Sequence, residues 1–367
     1  MPPPCWRSWV RFAKQADNGT SLQACHLCCS DEDLITPEFV DPLKNYLFSR
    51  GSTTLVGLPR SQSQEIHPAS GSPWWQVAGR YYLKEMYPDN SEIWHSLARP
   101  RPNRSNLWHY DEDIRSRPSF ANYINADAIL NLHTNAAINP SANGTRAFVT
   151  EHRPYDLALA NNILCGMKEL IHAQEAYSNF NVANQAEVSN QYGENNYALM
   201  PAVVLELGFH TNAGDAAALQ DPVFRDAAVK GVEKGFRLQA EDKTCEPFEI
   251  TSIPDVTIPR PGAMDVPVNF KGFPFFPVTL TVENVVCPAG NTCTGGTIIY
   301  AEQQDSPLYF QFSCEGSSDS TDTSRWRSYL TDADDVKTNT VEHGLTCLPT
   351  SGAVANGKPS VGVGPAS

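Results

Sequence analysis

Two short apolar runs each carry one side chain able to do chemistry. Residues 201–212 read Pro-Ala-Val-Val-Leu-Glu-Leu-Gly-Phe-His-Thr-Asn, and a single carboxylate, Glu206, interrupts the apolar stretch. A charged Glu inside a buried strand is costly unless a metal, its bound water or another partner compensates it. Residues 126–136 read Ala-Asp-Ala-Ile-Leu-Asn-Leu-His-Thr-Asn-Ala, a strand that ends in His133. Ligand sites of α/β sheets lie at such C-terminal strand ends. An imidazole and a carboxylate are donor types that can hold a metal or its bound water.

The elements that would position these groups alternate between strand and helix over residues 32–240. Strands are expected at 53–58, 127–132, 146–150 and 202–207, all short apolar runs of the kind buried on both faces of a mainly parallel sheet. Phe39, Val40, Leu43, Tyr46 and Leu47 follow helical spacing. That helix begins near Thr36–Pro37, kinked at Pro42, or else begins at Asp41–Pro42. Further helices are expected at 75–86 and 157–176. A last one starts at Asp221–Pro222, a capping residue followed by proline at the first turn, with Phe224, Ala228, Val232 and Phe236 on one face. The alternation predicts an α/β domain, a mainly parallel sheet flanked by helices.

The two segments, ending in His133 and carrying Glu206, together resemble the zinc-dependent N-acetylmuramoyl-L-alanine amidases of bacterial cell walls. In that family a strand ends in a Ser-x-His-x-Asn turn whose His binds zinc, and a later Val-Glu-x-Gly-Phe-x-x-Asn strand carries the catalytic Glu. The resemblance covers residues ~32–240 and implies that His133 is a zinc ligand and Glu206 the catalytic carboxylate. Arg117, Ala121 and Asn122 match the family's Arg-x-x-x-Ala-Asn ahead of the His strand. Gly144-Thr145 matches the turn after it, and Asp221-Pro222-x-Phe224-Arg225 the helix after the Glu strand. The family's register from Glu through a helix to Arg-Gly and a strand ending in Thr-Arg implies that Glu32 is a second zinc ligand, with Asp31 the weaker candidate. The family's remaining ligand is a His in a Gly-His-Gly turn, and no such turn precedes Glu32. Either residues 1–29 are truncated or wrongly started, or His26, in Cys25-His26-Leu27-Cys28-Cys29, or a neighbouring Cys replaces that ligand.

Composition narrows the alternatives. The 367 residues carry a net charge of -14 and no Lys/Arg run, which argues against nucleic acid as a partner and against an anionic membrane surface. No run of about 18 apolar residues is present to span a membrane. Residues 61–115 read as an insertion holding four of the seven Trp, either an aromatic wall beside the site or a satellite cluster under a long loop. From Cys245 the texture changes to Pro-punctuated short strands, with 278–285, 296–301 and 308–312 the clearest. They predict a small β-sandwich over 245–350, with a disordered tail at 351–367. Five of the ten Cys fall in this late part, where disulfides of an exported domain are the natural reading. Cys287 and Cys293 could close a short loop.

The chain therefore reads as an atypical segment 1–29, a catalytic domain 30–244 and a β accessory domain that binds cell wall or a protein partner, or stabilises the enzyme. By resemblance the substrate is peptidoglycan, the bond is the amide between N-acetylmuramic acid and L-Ala, the cofactor is Zn2+, and the location is periplasmic or extracellular. The rival readings are a catalytically impaired wall-binding protein of the same fold and a zinc peptidase cutting another amide.

Overall fold

The computed structural model describes residues 32–50, 55–97, 107–350 and 360–366, with the side chains of residues 32–34 excluded. The segment 1–29, with His26, and Asp31 lie outside the described residues. The chain divides into two compact units, Met1–Thr244 and Cys245–Ser367.

In the first unit, helix α1 (Glu32–Arg50) runs through both Pro37 and Pro42. Its buried face is Ile35, Phe39, Leu43 and Leu47, four residues apart, packed against β1 (Ile129–Asn135) and α8 (Pro222–Ala240). Tyr46 ties α1 to α8 by donating its hydroxyl to Asp226 Oδ1 at 2.6 Å. Between them lie α2 (Gly79–Met86), α3 (Ser91–Trp94) and α4 (Trp108–Tyr123). Leu83, Ile93 and Phe120 join these three helices in one buried cluster, with Tyr82, Tyr87 and Trp94 packed on it. The Trp-rich insertion thus holds a satellite core.

The expected strand at 53–58 does not form at its described residues, since 55–58 are outside any strand. Leu55 is exposed, and Gly57 lies so close over Ile124 and Phe120 of the α4 end that a Cβ there would fall 2.6 Å from Ile124 Cδ1. The chain passes over a helix at this point instead of entering the sheet.

The sheet has four strands in the order β1-β4-β2-β3, where β2 is Arg146–Val149, β3 Glu187–Val188 and β4 Ala202–Phe209. β1 with β4 and β2 with β3 are parallel, and β2 with β4 is antiparallel. Every residue of β4 is buried, as its unbroken apolar run requires of a central strand covered on both faces. Helices α5 (Pro154–Ala173), α6 (Gly193–Tyr197) and α7 (Ala213–Gln220) complete the unit with α8. Asp221 caps α8 by accepting from Val223 N at 2.9 Å, and Pro222 fills its first turn. The backbones of α5 and α8 touch: a Cβ on Gly231 would lie 2.4 Å from Met167 Cα.

The second unit is a sandwich built from β5 (Glu249–Ser252), β6 (Val256–Pro259), β7 (Gly262–Lys271), β8 (Val278–Val286), β9 (Thr292–Thr294), β10 (Gly296–Tyr300), β11 (Leu308–Glu315), β12 (Asp322–Thr331), β13 (Val341–Leu348) and β14 (Ser360–Pro365). Its two five-stranded sheets have the orders β10-β8-β12-β13-β6 and β5-β7-β11-β14-β9. Strand β12 (Asp322–Thr331) alternates buried and open positions, burying Ser324, Trp326, Ser328 and Leu330, and the Trp326 ring lies 5.3 Å from that of Phe312 on β11 (Leu308–Glu315). Disulfides join Cys287 to Cys293 and Cys314 to Cys347, and Cys165 and Cys245 are also disulfide-bonded. The tail expected to be disordered is corrected at its end. Residues 351–359 lie outside the described residues, but Ser360–Pro365 form β14, antiparallel to β11. A Gly-rich segment can do this because ladder hydrogen bonds use main-chain groups, and Val361 buries its side chain.

Candidate active site

The two strand ends singled out by sequence are neighbours. His133 of β1 and Glu206 of β4 occupy one rung of the parallel pair, and Arg146 of β2 sits opposite Glu206 on the other side. Residues on one rung project from the same sheet face. Glu206 is therefore flanked in the ladder by His133 and Arg146, and the Arg146 guanidinium itself donates to Glu187 Oε1 at 2.6 Å. Just past the rung the β1–β4 register shifts, between His133 and Asn135, where β1 leaves the sheet.

Two residues that sequence reasoning missed complete the site, and both lie just before or within α6. Tyr192 hydrogen-bonds through its side chain to Glu206, and burial, followed by the Glu206 charge, pushes the Tyr192 phenol up. Its ring packs on Phe148, centroids 4.8 Å apart. Glu194 places Oε1 3.3 Å from His133 Nε2. Arg117 on α4 donates from one guanidinium nitrogen to Glu194 Oε1 at 2.9 Å and from the other to Asp113 Oδ2 at 2.9 Å. Burial raises the Glu194 carboxyl, but the His133 hydrogen bond and the Arg117 charge outweigh it and hold the group below the usual Glu range.

The Arg-x-x-x-Ala-Asn residues have a shared physical task. Arg117 holds Glu194. Asn122 donates to Tyr197 O and accepts from Leu199 N, both at 2.9 Å. Ala121 packs with Ala198, Met200 and Ala202. From the other side Arg153 donates to Asn195 O and Ala198 O at 2.9 Å, and Asn195 donates to Phe148 O at 2.8 Å. The chain from 194 to 202 is thereby pinned where it enters β4, which fixes both Glu194 and Glu206. Gly144 serves the far end of β4: its N–H and that of Phe209 both donate to Asp215 Oδ2, at 2.7 and 2.8 Å.

Other histidines of this unit, and Arg60, have partners of their own. His210 is hydrogen-bonded to Thr134 Oγ1 at 2.9 Å. His67 pairs with Glu85 at 2.5 Å, His95 lies 3.8 Å from Glu112, and His109 contacts Arg80 and Tyr81. Arg60 donates to Trp75 O at 3.4 Å. The backbone of Glu32 opens α1, but its side chain is outside the description, as is His26. The donor chemistry at the His133 rung, an imidazole with two buried carboxylates nearby, suits a divalent cation. Among the described residues no three His, Cys, Asp or Glu side chains converge as a complete metal set.

The first unit is thus a layered α/β domain that holds an imidazole and a carboxylate on adjacent strand ends. Over residues 96–237 it matches the family model for N-acetylmuramoyl-L-alanine amidase, so the resemblance read from His133 and Glu206 holds for this segment. The match begins after α1 and does not include Glu32. N-acetylmuramoyl-L-alanine amidase LytC of Bacillus subtilis is 28% identical over 146 residues, 40% of this chain and 28% of that protein. The chain thus spans little more than a quarter of that curated relative. Among solved structures, the CwlD amidase of Clostridioides difficile, in complex with the GerS lipoprotein, aligns with a TM-score of 0.42 at 15% identity, covering 58% of this chain and 88% of that one. The amidase Ami1 of Mycobacterium smegmatis aligns with a TM-score of 0.35 at 13% identity, covering 58% and 78%.

Proposed function

We propose that the α/β unit hydrolyses the amide bond between N-acetylmuramic acid and L-alanine of peptidoglycan, with zinc, in the periplasm or outside the cell. The observation that carries this reading is the single rung shared by His133 and Glu206, within the segment that matches the amidase family. His133 and Glu32 are the proposed metal ligands, and His26 the candidate for the third. Zinc, when bound, would polarise the amide carbonyl and lower the pKa of a water. Glu206 is the residue that would hold a proton during the reaction and return it to the departing L-Ala amine. Tyr192 hydrogen-bonds the Glu206 carboxylate. The β-sandwich is a candidate for contact with cell wall or a protein partner.

Mass spectrometry of digested peptidoglycan tests the reaction. Release of sugar-free stem peptides with a free L-Ala amine is expected. Cleavage within the stem would instead make the chain a peptidase, and intact peptidoglycan would make it a binding protein.

A further inference from the structure

We propose that the sandwich carries a site for a short zwitterionic peptide on the outer face of its first sheet, with Glu342 taking the peptide's amine and Lys337 its carboxylate. The face follows from strand alternation: β12 turns Trp326, Ser328 and Leu330 into the core, so Arg327 and Tyr329 point outward. Arg327 shares a rung with Glu283 of β8 on one side and with Glu342 of β13 on the other. Together with Tyr329, Lys337 and Thr340 these residues line a recess of about 470 Å3. Small-molecule sites occupy roughly 300–1,000 Å3, so a peptide of a few residues fits by size.

Charge decides the class of ligand. Arg327 Nε donates to Glu283 Oε2 at 2.6 Å, so these two charges offset each other. Among the described residues, neither Lys337 nor Glu342 is held in an ion pair. The lining thus offers one spare ammonium and one spare carboxylate with no net charge, which favours neither a polyanion nor a polycation. A molecule with one charge of each sign is its complement. The Lys337 ammonium is also held in place, 3.5 Å from the centre of the Tyr329 ring. Its loop is fastened to β12, where Leu330 accepts from Thr338 N at 2.9 Å and donates to Thr338 Oγ1 at 3.0 Å. A preplaced cation loses little freedom when a ligand binds. The natural occupant is a stem peptide freed of its sugar, which exposes an amine at L-Ala and keeps its carboxylate, and this identification rests on the amidase reading above.

The test titrates trialanine, with both termini free, into the isotope-labelled full chain and follows backbone amide shifts by NMR. Saturable shifts are expected at residues 327–329 and 337–342. An exposed ion pair changes an equilibrium by up to about fivefold, so acetylating the amine or amidating the carboxylate is expected to weaken binding about two- to fivefold each. Glu342→Gln should abolish the acetylation effect alone, and Lys337→Gln the amidation effect alone. Both side chains belong to exposed residues, and circular dichroism checks that the variants fold. If one does not, the three peptides on the wild-type chain still decide. Three results would overturn the assignment: equal binding of all three peptides, an acetylation effect unchanged in Glu342→Gln, or tighter binding of uncharged N,N′-diacetylchitobiose at these amides. The last would give the recess to glycan. Failure of the amidase reading looks different: trialanine binds as described, and no stem peptide is released from peptidoglycan.

Discussion

The phenol of Tyr192 donates to the carboxylate of Glu206 from the segment just ahead of the strand that carries that carboxylate. This contact ties the segment ahead of β4 to the acid that shares a rung with His133. A hydrogen bond to a charged group contributes roughly 1.5–3 kcal/mol. Tyr192→Phe is therefore expected to slow turnover by on the order of tenfold. Zinc content should stay unchanged, measured by steady-state release of stem peptide and by elemental analysis. Full turnover in this variant would mean that Tyr192 does not orient the acid.

Glu206 and His133 share a rung but have separable roles. Glu206→Gln keeps the shape of the side chain and removes the base, so turnover is expected to fall by about 10²–10⁴-fold with metal retained. His133→Ala is expected to lose metal as well. Metal analysis run beside the activity assay separates the two. A Glu206→Gln protein with full activity would remove Glu206 from the mechanism.

The sandwich should weaken in acid through His343. This residue is fully buried beside Phe310 and Phe312, with Nε2 hydrogen-bonded to Ser328 Oγ at 2.8 Å. Burial pushes its pKa down to about 4 from 6.5, with Asp255 opposing and Arg325 assisting. The unfolded chain therefore takes up a proton first as pH falls. The stability present above pH ~6.5 is lost progressively down to pH ~4, by on the order of 3 kcal/mol. Urea denaturation across that range, followed by Trp326, in the same sandwich core, in a chain whose other Trp are replaced, would measure the slope. His343→Gln should flatten it, and an equal slope in that variant would locate the titration elsewhere.

The α5–α8 contact should not tolerate a methyl group. At Gly231 and Gly235 the opposing atoms within 2.4 Å of a new Cβ are backbone atoms, which cannot rotate away. Gly231→Ala is expected to cost about 1–3 kcal/mol, despite alanine's better helix propensity. Thermal denaturation checks this. A variant as stable as wild type would show that the helices can separate freely.

The two sandwich disulfides should differ in weight. Cys314–Cys347 spans 33 residues and Cys287–Cys293 spans 6. By loop entropy their removal is expected to cost ~4 and ~2 kcal/mol respectively. Denaturant midpoints of the two double Cys→Ser variants would order them, and the reverse order would contradict the loop-entropy account.

Sequence by itself determined the pieces whose signal is local. An unbroken apolar run identifies β4 because a strand covered on both faces must be apolar throughout, and Glu206 is conspicuous against it. The Asp221–Pro222 start of α8 is legible because capping is settled within four residues. What only tertiary structure decided is which distant groups meet. Glu194 and Tyr192 sit in a polar stretch, Gln191 to Asn196, whose composition resembles any solvated loop. They become part of the site because Arg117, Asn122 and Arg153, distant in sequence, draw that stretch against the sheet. Likewise residues 55–58 have strand-like composition but lie over a helix, and Gly-rich 360–365 form a strand because β11 offers an open row of main-chain donors and acceptors. Periodicity reports the faces an element can bury, whereas pairing depends on partners the local sequence does not contain.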